Sequence, residues 1–191
     1  MRSMHSVLVV ALAIIYSSPV SGQSPTYGVG REPSPQEIRV WDIAIGPDGK
    51  ELPEGGSTAA IGRNVYAAKC AACHGKGGKE GPYDVLVGGF QSLTSARPVK
   101  TVGSYWPYAT TLWDYINRAM PFQAPGSLSS QEVYGITAYI LYLNGIVQES
   151  ETISAQTLAR VRMPNRDGFV ADPRPDTNGL GKAGRAKPAK R

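Results

Sequence analysis

Cysteine and histidine are almost absent from this chain of 191 residues: two of each. His5 lies in the first few residues, so beyond them the sequence holds one histidine, His74. Two cysteines cannot make a disulfide-rich scaffold. Charged residues are also few, at 18%, so neither a long charged helix nor an acidic or basic disordered chain is indicated. Only one long apolar run occurs, near the start, and nothing after it is apolar enough to span a bilayer. No internal repeat is visible.

The early run belongs to MRSMHSVLVVALAIIYSSPVSGQS. Arg2 gives a positive start, Val7 to Ile15 is unbroken apolar sequence, and small residues follow. This is the pattern of a secretory signal over 1–22, with cleavage after Gly22. It predicts a mature protein outside the cytoplasm, in the periplasm, without stable membrane insertion. Glycine and proline are abundant, 22 and 15, which implies long irregular connections. Residues 23–57 read as an extended arm, with one ordered piece at EIRVWDIAI, 37–45. The net charge of +5 comes from the end of the chain: Lys182, Arg185, Lys187, Lys190 and Arg191 fall in the last ten residues. Residues 176–191 read as a solvated basic tail, or as a steering element for an anionic partner. The remainder is close to neutral, and no nucleic-acid partner is expected.

Three helices are expected between these ends. TAAIGRNVYAAKCAA, 58–72, places Ile61, Val65 and Tyr66 in an apolar stripe, with Thr58 as cap. A second helix runs from about Thr111 to Ala119, with Leu112, Trp113, Ile116 and Ala119 on or near one face, and Pro121 stops it. The third has Ser129 and Glu132 as a capping box, an apolar run from Val133 to Leu143, and Asn144-Gly145 as its end. Ile153 to Val161 suggests a shorter fourth helix. Gly62 and Tyr66 are expected to meet the third helix near Tyr139, where a small residue allows close crossing.

What the chain does contain is concentrated. Cys70, Cys73 and His74 occupy five positions at the end of the first helix. Positions i, i+3 and i+4 share a helix face, so two thiols reach the vinyl groups on one porphyrin edge while the imidazole reaches the iron. This C-x-x-C-H spacing marks covalent attachment of one haem c. A zinc site would need a fourth ligand that the Cys and His inventory does not supply. A redox C-x-x-C pair would follow a strand in a βαβ setting, and here the pair follows an Ala-rich helix. A disulfide suits a secreted chain but leaves His74 without a role. For the second axial position, Met120 in RAMPFQAPGS and Met163 in VRMPNRDG remain after cleavage, each beside a proline. Met120 is the stronger choice and Met163 the alternative, with gap-filling in a core the competing role for each. A His/Met pair raises the potential and closes the iron to substrate, which favours electron transfer. The Pro82 carbonyl, just after Gly81, is a candidate acceptor for the second ring N–H of His74. Tyr105, Trp106 and Tyr108, in SYWPYATT, are candidates to cover the ring or donate to a propionate.

The first helix ending in CAACH, the following GP and the loop methionine before a final helix together resemble class I cytochromes c over about residues 58–146. YGVGREPSPQEIRVWDIAIGPDGKELPEG, VGSYWPYATTLWDYINRAMPFQAPGSLSSQEVYGITAYILYLNGIV and VRMPNRDGFVADPRPD are similar to the SoxD cytochrome subunit of sulfane dehydrogenase and to relatives called cytochrome subunits of sulfite dehydrogenase. The resemblance implies an all-α class I cytochrome c fold over 58–146 with irregular extensions, including 147–175. It implies a periplasmic partner with a molybdenum cofactor that oxidises a sulfane or sulfite sulfur. The chain would be that partner's electron-accepting subunit, with no catalytic site of its own, and would pass electrons to a downstream cytochrome acceptor. By the same resemblance Cys70 and Cys73 carry the haem, His74 is proximal and Met120 distal. A free soluble electron shuttle without a permanent partner is the alternative.

Overall fold

The computed structural model describes Tyr27 and residues 29–170. The expected signal segment, the basic tail and the last residues of the C-terminal extension lie outside the described residues. The chain divides into two units at Trp41/Asp42. Of the first, the described part holds one helix, α1 (Pro35–Trp41), which buries none of its residues. It starts where Ser34 and Glu37 exchange bonds between side chain and backbone, at 2.8 and 3.3 Å.

The second unit is mostly helical. Its elements are β1 (Gly56–Ser57), α2 (Ala59–Lys69), α3 (Ala71–His74), α4 (Ala109–Ala119), α5 (Ser130–Leu143), β2 (Ile153–Ser154) and a 3-10 turn at Leu158–Arg160. Thr58 caps α2 through a bond from the Ile61 N–H at 3.4 Å. Ser129 and Glu132 form the expected capping box on α5. α5 buries every residue from Val133 to Leu141, so it is enclosed all round and forms the axis of the core.

α2 crosses α5 where two glycines meet. A Cβ on Gly62 would lie 2.8 Å from Gly135 Cα and closer still to the Gly135 carbonyl, so only glycine permits this approach. One turn on, Tyr66 packs against Tyr139 with ring centroids 5.1 Å apart. The buried face of α2 is Ala59, Gly62 and Tyr66; Ile61, expected in that face, is more than half exposed. The crossing rotates the helix so that its smallest residue, not its largest apolar one, faces α5. α4 presents Leu112, Trp113 and Ile116 to the core, and Trp113 lies against Tyr134 with centroids 5.4 Å apart.

The core does not stop at residue 146. Ile153, Leu158 and Met163 are nearly inaccessible, and Leu52 is buried from the other side. The expected fourth helix is absent. Ile153 and Ser154 pair antiparallel with Ser57 and Gly56 instead, and only Leu158–Arg160 coils. A two-residue ladder between the lead-in to α2 and the chain after α5 supplies the hydrogen bonds that a helix would otherwise have made. The Tyr134 hydroxyl donates to the Pro53 carbonyl at 2.7 Å, tying in the end of the arm.

Candidate haem site

α2 does not run straight into the cysteine motif. Cys70 sits between α2 and α3 with φ −124°, which breaks the helix for one residue before Ala71–His74 takes one further turn. Cys73 and His74 both donate from their backbone to the Cys70 carbonyl, at 3.1 and 3.0 Å. The three side chains thus come from one tight turn. Both cysteines are half-buried free thiols, and burial pushes the Cys70 thiol up to about 11.

Beyond His74 the chain doubles back. Gly75 has φ +80°, a conformation natural to glycine, and the Tyr66 hydroxyl donates to its carbonyl at 3.0 Å. Gly81 packs against the Cys73 carbonyl so closely that a Cβ there has no room. Tyr83 N–H then donates to the Cys73 carbonyl at 3.2 Å. This folded-back loop brings the Asp84 carbonyl to 2.9 Å from His74 Nδ1. Asp84, not Pro82, is therefore the residue that fixes the ring: Pro82 is exposed and lies at the turn, and the chain reaches the imidazole two residues later. With Nδ1–H donating to Asp84, the Nε2 lone pair remains for a metal.

These residues line a cavity of about 490 Å³. Its lining includes Cys70, Cys73 and His74 from the turn after α2, and Leu112, Ile116, Ile136 and Ile140 from α4 and α5. Met120, Pro121 and Leu128, from the end of α4 and the chain that follows it, line the same cavity. Met120 is the C-cap of α4, where extended φ and ψ of −121° and 147° take the backbone out of the helix before Pro121. Met163 is not in the lining; it is 1% exposed and belongs to the hydrophobic core. Trp106 lines the cavity, edge-on to Tyr115 with centroids 5.8 Å apart. Tyr108 does not: its ring lies under the Arg166 guanidinium at 5.2 Å. Tyr105 is also outside the lining, packed against Phe169 and beneath the Lys100 ammonium. Lys100 itself lines the cavity, and nothing in the local sequence singled it out.

The donor set fits a haem. The volume is within the usual range for a small-molecule site, much of the lining is aliphatic, and two cysteines, one histidine and one methionine share it. Among the described residues no group of three or more His, Cys, Asp or Glu side chains is arranged to hold a bare metal ion, so the zinc reading has no support from geometry. No helix among the described residues is long and apolar enough to cross a membrane.

Residues 57–140 match the family model described as cytochrome c oxidase, cbb3-type, subunit III. A chain in the crystal structure of the sulfane dehydrogenase SoxCD from Paracoccus pantotrophus is 40% identical, with a TM-score of 0.72. The match covers 87% of this chain and 81% of that chain. No curated protein sequence matches.

Proposed function

The chain belongs to the cytochrome c family and is a relative of the SoxD-type cytochrome of sulfane dehydrogenase, and from that premise we propose that it is the electron-accepting subunit of a molybdenum-dependent sulfur dehydrogenase in the periplasm. The observation that carries this reading is one cavity with an aliphatic lining that brings together Cys70, Cys73, His74 and Met120. One haem c held there supplies a one-electron iron couple.

The chain's own residues perform four tasks. The Cys70 and Cys73 side chains would hold the cofactor covalently, as thioethers to its vinyl groups. The Asp84 carbonyl orients the His74 ring and keeps Nε2 unprotonated for iron. Met120 would offer the iron a soft thioether donor, which raises the potential. Leu112, Ile116, Ile136 and Ile140 exclude water from the cavity. With His74 and Met120 both given to the iron, no position would remain for substrate, and the chain would transfer electrons without acting as an enzyme alone.

A single C-x-x-C-H motif limits storage to one electron, so a two-electron sulfur oxidation in the partner is drained in two successive transfers. The likeness to SoxCD covers more of this chain than Asp42–Arg191 contains, so it extends into the segment before Asp42. That segment, with an α1 that buries nothing, and the chain beyond Met163 are the parts proposed to grip the partner. The stretch from 147 to 163 instead packs into the core and serves the fold. A downstream cytochrome receives the electrons.

The test is to mix the haem-loaded chain with the molybdenum subunit of a sulfane dehydrogenase and add carrier protein bearing a cysteine-bound sulfane sulfur, or sulfite. Reduction of the haem absorbance, and co-elution of the two chains that is lost when residues 23–41 are deleted, are expected. Elution alone at full reducibility would identify a free shuttle instead.

A further inference from the structure

We propose that Lys100 is the residue that holds a haem propionate, and that its charge contributes to the reduction potential; this rests on the haem reading above. The cavity has few ionisable Lys, Arg, His, Asp or Glu side chains in its lining: Lys69, His74, Asp84 and Lys100. His74 is committed to the iron. Lys69 is next to Cys70 and already pairs with Glu132 at 2.8 Å. Asp84 is an anion and cannot hold another. Lys100 remains, and among the described residues it has no ion-pair partner.

Its seat is built. The Lys100 ammonium lies 5.0 Å from the Tyr105 ring centroid, a cation–π contact that holds the long side chain in place. The next residue, Thr101, is buried in the same lining; its hydroxyl donates to the Gly88 carbonyl at 2.6 Å and its N–H to Ser104 Oγ at 2.9 Å. Ser104 Oγ in turn donates to the Val99 carbonyl at 2.7 Å. The turn from 99 to 104 is therefore closed by its own hydrogen bonds, with an exposed lysine on a fixed base.

The chemistry of the porphyrin supplies the rest. Its vinyl groups and its two propionates occupy opposite edges of the macrocycle. Thioethers to Cys70 and Cys73 would commit the vinyl edge to the turn at α2 and α3, which leaves the carboxylates to be met by lining residues from other segments. Lys100 comes from such a segment, the loop between α3 and α4. An ammonium–carboxylate pair there makes a charge-assisted hydrogen bond. Removing the ammonium leaves the carboxylate's charge uncompensated and favours ferric iron, so the potential falls.

The experiment is a charge series at one position in the haem-loaded full chain: Lys100→Arg, Lys100→Gln and Lys100→Glu. Covalent haem is measured first on each, because its absence from the unaltered protein defeats the haem reading itself and not this proposal. Redox titration is expected to give Lys100→Arg the parent potential. Lys100→Gln should shift the one-electron equilibrium about threefold, roughly 30 mV at 59 mV per tenfold change, toward the oxidised form, and Lys100→Glu further. The propionate bending band in the resonance Raman spectrum should move in Lys100→Gln and return in Lys100→Arg. Tyr105→Leu, which keeps the charge but removes its seat, should show a smaller shift of the same sign. Equal potentials across the series, with an unmoved propionate band, would overturn the assignment.

Discussion

Substituting Gly62 by alanine tests whether the α2–α5 crossing sets the shape of the site. The new Cβ would lie 2.8 Å from Gly135 Cα and nearer to its carbonyl, against an ordinary contact of 3.4–4 Å. Both neighbours are helix backbone, which has no rotamer to change, so the helices must part. Overpacking of this kind costs about 1–3 kcal/mol, and the rigid backbone places Gly62→Ala at the top of that range. Alanine returns about 1 kcal/mol of helix propensity. The net loss is then about 2 kcal/mol, a fall in Tm of roughly 4–8 °C for a unit of this size. Because α2 carries the turn that holds Cys70, the yield of covalently loaded protein should fall as well. Gly135→Ala is the internal comparison: its Cβ would sit 3.1 Å from Gly62 Cα, a milder conflict, and it should cost less. Thermal unfolding followed by circular dichroism reads both. If Gly62→Ala melts at or above the parent temperature, the close crossing is wrong.

The two methionines should separate cleanly. Met120→Ala is expected to abolish the sulfur-to-iron charge-transfer band with little change in stability, whereas Met163→Ala should keep the band and lose about 2–5 kcal/mol as a core cavity in chemical denaturation; the reverse pattern would move the ligand. Ser129→Ala should cost about 1 kcal/mol by removing the cap of α5. Glu132 carries a pH signature: the Lys69 ammonium first, and the Ser129 N–H and hydroxyl next, hold its carboxyl down at about 2. A depressed carboxyl stabilises the fold fully above its ordinary value of 4.5, and that contribution is lost as pH falls from there toward 2. Because the pair is partly exposed, the amount is about 1 kcal/mol. Glu132→Gln should flatten the stability profile between pH 4.5 and 2, and an unchanged slope would contradict the pairing.

How much of this was readable in advance follows local chemistry. α5 was legible at both ends because Ser129, Glu132, Asn144 and Gly145 act on their own neighbours in sequence. Its crossing partner Gly62 was also legible, since a glycine in an otherwise good helix needs a packing reason. The grouping of Cys70, Cys73 and His74 follows from helical spacing alone. Three features depended on contacts between distant segments and were not visible. Ile61 turned outward because the glycine contact dictates the rotation of α2. Ile153 entered a ladder with Ser57, a pairing across nearly a hundred residues, in place of a helix. The acceptor for His74 moved from Pro82 to Asp84 because Gly75 and Gly81 fold the loop back farther than a simple turn. Met120 was already the stronger choice over Met163, and the packing adds that Met163 is a core residue while Met120 lines the cavity. Lys100 had no signal in its neighbours at all; its meaning comes from the cavity.

The central claim is that Cys70 and Cys73 carry one haem as thioethers. The most direct measurement is a haem determination on the chain, expressed together with a haem-attachment system, after denaturation and acid–acetone extraction. One haem per chain should stay with the protein and give the spectrum of a doubly thioether-linked pyridine haemochrome, and Cys70→Ala with Cys73→Ala should remove it. A colourless chain, or a haem that is extracted into the solvent, would contradict the account.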